Sequence, residues 1–384
     1  MKIVYIYPQM VERAGTERIL TDKMNYLAEQ EGYDVVLLTY EQCDRPLAFE
    51  MSSKIRHVDL DIRYYPYYHN CILYRLYKWW RLDHLLRAKF NRFMEGFMPD
   101  IVVTTTSYTR PLMMIVKCPV ICARVLESHI DRKYIMGNNP LSQRSICQRF
   151  LGMLDMHKLI NDARKFDILV SLHDADSEDW LKYTKTMVIT NVVHLNPTGQ
   201  LSNLESKHVV FVGRYTIQKN IPELFKIWEI VYSRHSDWHL DLYGEGEMED
   251  EIIDMSKRLH ANIHVHKSDP YIINRYLESS IFVLTSLYEP FGLVLPEAMS
   301  CGLPVVAFDC PYGPAHIITD GVDGYLVKER DIEQFAERVC CLIESPELRI
   351  KIGRAAVQSS SRFSASNIMP LWVNLFQELI KNRL

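Results

Sequence analysis

Two glutamates in the segment SLYEPFGLVLPEAMSCGLPVV, residues 286–306, are the side chains whose type and spacing most directly suggest chemistry. Paired carboxylates catalyse glycoside hydrolysis when they lie roughly 5–5.5 Å or roughly 6.5–9.5 Å apart. Glu289 and Glu297 are eight positions apart, and eight residues of helix span about 12 Å. Curvature of the loop before the helix would shorten this distance, but the simpler expectation is two acids that bind different parts of one ligand. Carboxylates accept hydrogen bonds from sugar hydroxyls, so the spacing favours sugar binding over hydrolysis.

The residues between the two glutamates predict a turn followed by a helix. Pro296 fits the first turn of a helix, where no intrahelical N–H is needed, so we expect the helix to begin near Gly292. A glycine at this point lets the backbone approach a ligand closely. The N–H groups of Leu293 and Val294 would then be free to point at that ligand, and Gly302 would end the helix.

Two cations follow another predicted strand. Arg214 and Lys219 lie in GRYTIQKN, between the apolar run HVVFVG and a helical pattern. Cations in a loop that leads into a helix N-terminus suit a diphosphate. An isolated pair of this kind is more often ordinary surface charge, but its coincidence with the glutamate segment favours phosphate binding.

Alternating apolar runs and helical patterns must position these side chains. The first half of the chain contains the strand-like runs KIVYIYP (2–8), DVVLLTY (34–40), DIVVTTT (100–106), PVICARVL (119–126), DILVSLH (167–173) and MVITNVV (187–193). After a polar linker at 196–207, the second half contains HVVFVGR (208–214), HLDLYG (239–244), NIHVHK (262–267), IFVLTS (281–286) and PVVAFD (304–309). This alternation predicts an α/β protein with two doubly wound parallel sheets facing across a cleft, and ligands at the carboxyl ends of the strands.

Composition restricts the class of protein further. A chain of 384 residues is long enough for two domains, and 48% hydrophobic with 24% charged residues is typical of a folded protein. The net charge of −4 gives no reason to expect nucleic acid as a partner. Nine cysteines without CxxC pairs predict reduced thiols. We see no signal peptide and no apolar run of membrane-spanning length, so we expect a cytoplasmic protein.

The ordered set of motifs resembles that of a known enzyme family. The segment from Glu289 to Glu297 is similar to the E-x7-E motif of the retaining GT-B glycosyltransferases of family 4, and GRYTIQKN is similar to their GR-x-x-x-x-KN motif. YGEGE (243–247), which contains Gly244, resembles their G-x-G segment. GPAHIITDGVDGYLV (313–327) resembles a further signature of the family. The resemblance covers essentially the whole chain and is strongest from about 165 to 330.

The resemblance implies a role for each matching residue of the second half. Glu297 would hold the ribose hydroxyls of a nucleotide-sugar donor, and Arg214 and Lys219 would bind its diphosphate. Glu289, with the backbone that follows Phe291, would contact the hydroxyls of the transferred sugar. The donor site would thus include Gly244, Gly292, Leu293 and Val294.

The resemblance also points to two positions in the first half. Gly15 lies in AGTER, which resembles the family's GG-x-E-R loop with Ala14 in place of one glycine. That loop approaches donor and acceptor, so the resemblance implies that Gly15 takes part in donor binding. His129 lies in RVLESHID and resembles the histidine that lines the sugar pocket. The catalytic set that the resemblance implies is therefore His129, Glu289, Arg214 and Lys219.

The same resemblance implies the domain plan and the reaction. The expected domains are residues 1–196 on the acceptor side, residues 197–365 for the nucleotide sugar, and a helix at 366–384 that packs back on the first domain. The expected enzyme moves a hexose, with retention and without a metal or cofactor, from a nucleotide-diphosphate sugar, most simply a UDP-sugar, to a glycan or lipid-linked acceptor. Two alternatives remain: an epimerase of the same fold acting on UDP-N-acetylglucosamine, and a silent nucleotide-sugar-binding subunit.

Three further segments have alternative interpretations. DLD at 59–61 mimics a metal-binding DxD, and HVH at 264–266 places two histidines on one strand face, but surface acids and histidines without a third ligand are the better interpretation. The stretch 71–93 is basic and rich in aromatic residues. Such a helix either lies on an anionic bilayer, at the inner face of the membrane, or packs on the sheet with its cations in water.

Overall fold

The computed structural model describes residues 1–64, 66, 71–128 and 146–383. The chain forms two compact units, one of residues 1–192 with 368–384 and the other of residues 193–367. Each unit contains one parallel sheet flanked by helices.

The first unit is a seven-stranded parallel sheet of order β3-β2-β1-β4-β5-β6-β7 within the described residues. Its strands are β1 Lys2–Ile6, β2 Asp34–Thr39, β3 Arg56–Asp59, β4 Ile101–Thr105, β5 Ala123–Glu127, β6 Ile168–Ser171 and β7 Thr186–Val188. Its helices are α1 Gly15–Glu29, α2 Ile72–Phe97, α3 Thr109–Val116, α4 Ile146–Ala163 and α5 Asp174–Leu181. The strand order reverses between β1 and β4. From β1 the chain continues through β2 to β3 on one side, and from β4 it continues through β5 and β6 to β7 on the other side.

The second unit is a six-stranded parallel sheet of order β10-β9-β8-β11-β12-β13. Its strands are β8 His208–Val212, β9 His239–Tyr243, β10 Ile263–His266, β11 Ile281–Leu284, β12 Val305–Phe308 and β13 Gly324–Val327. Its helices are α6 Ile221–Arg234, α7 Glu249–Leu259, α8 Ile272–Leu277, α9 Val294–Ser300, α10 Gly313–Ile317, α11 Ile332–Glu344 and α12 Pro346–Ser360. Here the strand order reverses between β8 and β11.

The central strands are buried because helices cover both faces of each sheet. Ile3, Val4 and Val36 in the first unit, and Val209 and Phe282 in the second, have no exposed surface. Continuous apolar runs of this kind are typical of parallel strands covered on both sides. The α/β class with two doubly wound sheets, predicted from the alternation of strands and helices, is therefore confirmed.

The last helix, α13 Ala365–Lys381, belongs to the first unit from Ile368 onward. The ring of Trp372 in this helix lies 4.3 Å from the ammonium of Lys23 in α1. Lys23 in turn forms a buried ion pair with Glu127 at the end of β5. A cation–π contact and an ion pair therefore connect this helix with α1 and the sheet.

Two strands differ from the expectation. MVITNVV was expected to be extended throughout, but β7 ends at Val188, and the last ladder bond joins the N–H of Ile189 to the carbonyl of Ser171. The edge strand β3 is not evident in the sequence because its residues, RHVD, are mostly polar. Edge strands are commonly short and polar because their outer side faces water.

Candidate active site

The loops after β8 and β11 meet where the strand order of the second sheet reverses. The N–H of Leu287 donates to the carbonyl of Gln218 at 2.8 Å, and the side-chain amide of Gln218 donates to the carbonyl of Tyr288 at 2.9 Å. The hydroxyl of Thr285 donates to the carbonyl of Lys219 at 3.1 Å. These hydrogen bonds hold the loop that carries Arg214 and Lys219 against the loop that carries Glu289. In open α/β sheets, ligands bind at such a reversal of strand order.

Glu289 and Lys219, which were predicted to contact different parts of one ligand, are themselves an ion pair. The exposed fractions of their side chains are only 6% and 12%. The hydroxyl of Ser286 donates a second hydrogen bond to Glu289 at 2.7 Å. Because a buried carboxylate is costly unless it is paired and hydrogen-bonded, these two partners offset the cost of burying Glu289 at this position.

The backbone of Glu289 is tied to the loop that follows β12. Its N–H donates to the carbonyl of Pro311 at 3.3 Å, and its carbonyl accepts from the N–H of Gly313 at 2.8 Å. Between them, Tyr312 has φ 85° and ψ −86°. A tyrosine in this region is strained, and such strain is concentrated at functional sites. Three consecutive loops of the sheet are thus held together around Glu289.

Arg214 lies in the same group of loops and is exposed. Its guanidinium makes no hydrogen bond or ion pair with any residue that the structure describes. Burial and the charge of Glu289 raise the pKa of Tyr288, and the positive charge of Arg214 lowers it. Arg214 is therefore close enough to Tyr288 to interact electrostatically, and its five N–H donors remain available for an anion.

Glu297 lies in the first helical turns of α9 and has a different partner from Glu289. The hydroxyl of Tyr276, a fully buried residue of α8, points to its carboxylate at 3.5 Å. Burial, followed by the charge of Glu297, raises the pKa of Tyr276, so its hydroxyl stays protonated as a donor. The two glutamates therefore have separate environments, and their separate roles in ligand binding stay a prediction.

The backbone between the glutamates forms the predicted turn and helix. Gly292 has φ 91°, which favours glycine, and α9 begins at Val294 after the cap residue Leu293. Among the described residues, the N–H groups of Leu293 and Val294 have no acceptor. Phe291 is buried edge-on against Phe363, with ring centroids 5.4 Å apart. This packing holds the start of α9 in place.

Gly244 has a packing role that its sequence motif does not indicate. A Cβ atom at Gly244 would overlap the carbonyl oxygen of Gly213, and one at Gly246 would lie too close to the backbone of Tyr215. The N–H of Tyr215 also donates to the carbonyl of Glu245 at 2.9 Å. The G-x-G segment therefore lies directly against the loop that carries Arg214, and its contact with a donor stays a prediction.

In the first unit, one predicted residue is described and the other is not. Gly15 is the exposed first residue of α1, and Ala14 before it is the extended cap residue. His129 lies outside the described residues.

The motifs do not point to a cluster at the carboxyl ends of β1 and β4, where the hydroxyl of Tyr7 donates to Glu17 at 3.4 Å and the rings of Tyr7 and Tyr108 lie 5.2 Å apart. Tyr7 and Tyr108 lie in the segments that follow β1 and β4. This position after a strand is the feature of the sequence that could have indicated them.

The motifs also do not point to Ser286, Tyr276 and Tyr312. Ser286 and Tyr312 lie within or next to recognised segments, but only the folded loops bring them to Glu289. Tyr276 lies 21 positions before its partner Glu297 on a separate helix. Contacts of this length leave no spacing pattern in the sequence.

The two metal-like motifs take part in ordinary hydrogen bonds. Asp59 of DLD accepts from the hydroxyl of Thr39 at 2.8 Å and from backbone N–H groups of the loop after β2. His266 of HVH donates to Asp241 at 3.2 Å, and His264 contacts His239 at 3.1 Å. In the parts of the chain that the structure describes, no group of three or more His, Cys, Asp or Glu side chains could hold a metal ion. Metal independence itself stays a prediction.

Comparison with known proteins finds similarity to glycosyltransferases. Residues 196–359, within the second unit, match the family model "Glycosyl transferases group 1". An uncharacterised glycosyltransferase of Haemophilus influenzae is 25% identical over 97% of this chain and 98% of its own. The amylovoran biosynthesis glycosyltransferase AmsD of Erwinia amylovora is 36% identical over 46% of this chain and 50% of its own.

Structural comparison covers the whole fold. TarM of Staphylococcus aureus, crystallised with fondaparinux, α-GlcNAc-glycerol and UDP, has a TM-score of 0.74 at 16% identity over 98% of this chain and 100% of its own. This likeness confirms the predicted GT-B fold. Together with the family match, it supports the resemblance to group 1 glycosyl transferases.

Proposed function

We propose that this protein is a retaining glycosyltransferase of family 4 that moves a hexose from a UDP-sugar to a glycan or lipid-linked acceptor. The observation that carries the proposal is the group of Arg214, Lys219 and Glu289 at the reversal point of the second sheet, with Glu297 in a separate environment on α9. Two cations and two acids are complementary to the parts of a nucleotide-diphosphate sugar. The names of the relatives support a role in polysaccharide or glycoconjugate biosynthesis.

In the proposed complex, Lys219 contacts both Glu289 and the diphosphate of the donor. An ammonium has three donors, so Lys219 can keep one hydrogen bond to Glu289 and direct others to phosphate oxygens. Arg214 binds the same diphosphate from the exposed side. Glu289 then accepts from hydroxyls of the transferred hexose, helped by the backbone that follows Phe291.

In this proposal Glu297 binds the ribose, at the nucleoside end of the donor. Its carboxylate accepts from the two ribose hydroxyls, while the buried hydroxyl of Tyr276 holds it in orientation. The free N–H groups of Leu293 and Val294, the close packing at Gly244 and the turn at Gly292, with φ 91°, complete the donor site of this proposal.

Chemically, the bond between the anomeric carbon and the diphosphate oxygen breaks, and an acceptor hydroxyl oxygen bonds to that carbon on the same face. The hydroxyl proton leaves with the diphosphate or with solvent. Arg214 and Lys219 stabilise the charge that develops on the departing diphosphate, which is often the largest contribution to catalysis. In this proposal Gly15 contributes to donor binding from the first unit and His129 lines the pocket of the transferred sugar, and the reaction uses no metal and no cofactor.

The test is to incubate the full chain with a panel of nucleotide sugars, with and without glycan and lipid-linked acceptors, in the presence of EDTA. Acceptor-dependent release of UDP with a product of retained configuration supports the proposal. An isomerised donor without acceptor indicates an epimerase, and binding without turnover indicates a silent nucleotide-sugar-binding subunit. Either of these two results overturns the transferase assignment.

A further inference from the structure

Two consecutive hydroxyl side chains follow β11 and lie beside the ion pair of Lys219 and Glu289. The hydroxyl of Thr285 donates to the carbonyl of Lys219 at 3.1 Å. The hydroxyl of Ser286 donates to the carboxylate of Glu289 at 2.7 Å. Thr285 has no exposed surface, and only 1% of Ser286 is exposed. A buried hydroxyl therefore holds each partner of the ion pair.

The two protein donors to the carboxylate of Glu289 use the same oxygen. The ammonium of Lys219 and the hydroxyl of Ser286 both donate to Oε1. A carboxylate has about four lone-pair positions on its two oxygens, so these two donors occupy those of Oε1. In the part of the chain that the structure describes, no hydrogen bond joins a protein donor to Oε2 of Glu289. Oε2 is therefore available as an acceptor for a ligand.

The backbone of Glu289 is also fixed, so the position of this second oxygen is defined. The N–H of Glu289 donates to the carbonyl of Pro311, and its carbonyl accepts from the N–H of Gly313. A Cβ atom at Gly313 would lie 2.0 Å from the carbonyl oxygen of Phe291, which shows how closely this loop packs on the segment after Glu289. Binding groups whose own supports are fixed in this way are preorganised for their ligand.

We propose that Ser286 is a positioning residue of the donor site, which keeps Oε1 of Glu289 turned to the protein so that Oε2 accepts from the transferred sugar. The proposal rests on the proposed function, in which Glu289 contacts that sugar. Ser286 acts through Glu289 and does not itself touch the donor. It thereby helps to determine which sugar the site accepts.

The hydroxyl of Ser286 has this effect because a glutamate carboxylate does not choose its orientation by itself. The terminal torsion of the side chain is broad and roughly twofold, so either oxygen can face a ligand unless donors hold one of them. The ammonium of Lys219 is a compact charge on a flexible stem and can follow either oxygen. The hydroxyl of Ser286, on the short side chain of a buried residue, supplies the directional restraint.

A single accepting oxygen in a fixed position favours sugars whose hydroxyl lies at that position. A site built to hydrogen-bond a substrate hydroxyl discriminates against an analogue that lacks it, because a buried polar group is then left without a partner. When the carboxylate can turn, it adapts to hydroxyls in other positions. We therefore expect Ser286 to contribute to discrimination between hexoses and not to binding of the nucleotide.

The test is isothermal titration of the full chain, without acceptor, with UDP and with UDP-hexoses that differ in the orientation of one hydroxyl, such as UDP-glucose and UDP-galactose. In Ser286→Ala, the ratio of affinities for the preferred hexose and its epimer should fall at least about fivefold, since a hydrogen bond to a charged group is lost. The affinity for UDP should stay the same.

Three further variants separate the role of the hydroxyl from that of packing. Ser286→Thr keeps a hydroxyl and should retain the discrimination. Ser286→Cys keeps nearly the same volume but is a weak donor, so it should behave like the alanine variant and replaces it if that variant does not fold. Ser360→Ala is the matched control, because Ser360 is also a 1% exposed serine of the second unit, with its hydroxyl on the carbonyl of Val357 at 2.8 Å. Circular dichroism establishes that each variant is folded.

Two results overturn the positioning role while the proposed function stands. One is equal discrimination in wild type and Ser286→Ala. The other is a loss of UDP affinity as large as the loss of UDP-hexose affinity, which would assign Ser286 to general packing of the loop. Absence of UDP binding by the wild-type chain would instead overturn the proposed function, and the role of Ser286 with it, so the two failures are distinguishable.

Discussion

The carboxylate of Glu289 is paired with the ammonium of Lys219, and 70 positions of the chain separate these two residues. The pair joins the loops after two adjacent parallel strands, β8 and β11. It therefore serves two purposes in our account, since it holds the loops together and orients both groups towards a donor. These purposes are separable by mutation.

Replacement of Lys219 by Met should lower both stability and activity. The change leaves the buried Glu289 without its counter-charge, which costs about 3 kcal/mol, and removes a donor to the diphosphate. The double variant Lys219→Met with Glu289→Gln also removes the uncompensated charge of Glu289. It should recover most of the stability but none of the activity. Urea unfolding and turnover assays measure the two effects. Recovery of activity in the double variant would show that the pair has only a structural role.

The ion pair of Lys23 and Glu127 should contribute to the stability of the first unit. Both side chains are almost completely buried, and the Lys23 ammonium also lies over the ring of Trp372. Lys23→Met should lower the free energy of unfolding by about 3–5 kcal/mol because Glu127 would be left charged and buried. Arg63→Gln, which breaks the exposed pair with Asp61, should have a much smaller effect because water already solvates both charges. Similar urea midpoints for the two variants would contradict this interpretation.

Acid should destabilise the second unit through His239. Burial, followed by the charges of His208 and His264, lowers the pKa of His239 in the folded protein. The unfolded chain therefore binds more protons than the folded one at pH values below the ordinary histidine pKa. Stability is present above that pKa and is lost as the pH falls from it through the lower pKa of the folded state. His239→Gln should flatten the dependence of the unfolding midpoint on pH between about pH 7 and pH 5. An unchanged slope would exclude His239 as a source of acid sensitivity.

Two glycines should respond in opposite directions to alanine. Gly96 lies inside α2, where an added Cβ would meet no atom within 4 Å, whereas a Cβ at Gly244 would overlap the backbone of Gly213. Gly96→Ala should stabilise the protein by about 0.4–1 kcal/mol through the lower entropy of the unfolded chain. Gly244→Ala should destabilise it by about 1–3 kcal/mol. Thermal unfolding measures both, and equal effects would show that the loop at Gly244 adjusts freely.

The sequence was sufficient for the fold class because the strongest pattern is local. KIVYIYP and HVVFVGR are apolar throughout most of their length, and both form strands with buried interiors. The positions of Gly292 and Pro296 likewise predict the start of α9 to within two residues. Polar edge strands such as β3 lack this pattern, and the extent of β7 depends on where the chain leaves the sheet rather than on its residues.

The sequence indicates candidate residues for the site, but it does not indicate the contacts among them. Lys219 and Glu289 are recognisable from their motifs, yet their mutual ion pair depends on the reversal of strand order between β8 and β11. The hydrogen bond from Tyr276 to Glu297 and the strained backbone of Tyr312 depend on tertiary packing in the same way. Spacing along the chain carries no information about such contacts.

In the function proposed above, the second unit binds a nucleotide-diphosphate sugar through Glu297, Arg214 and Lys219. Isothermal titration of UDP and UDP-hexoses into the full chain tests it without knowledge of the acceptor. We predict one binding site whose affinity falls at least about tenfold in Glu297→Gln, because hydrogen bonds to a charged group contribute about 1.5–3 kcal/mol. Glu251→Gln, a change at an exposed acid of α7, should leave it unchanged. No detectable binding, or equal affinity in wild type and Glu297→Gln, would exclude this donor site.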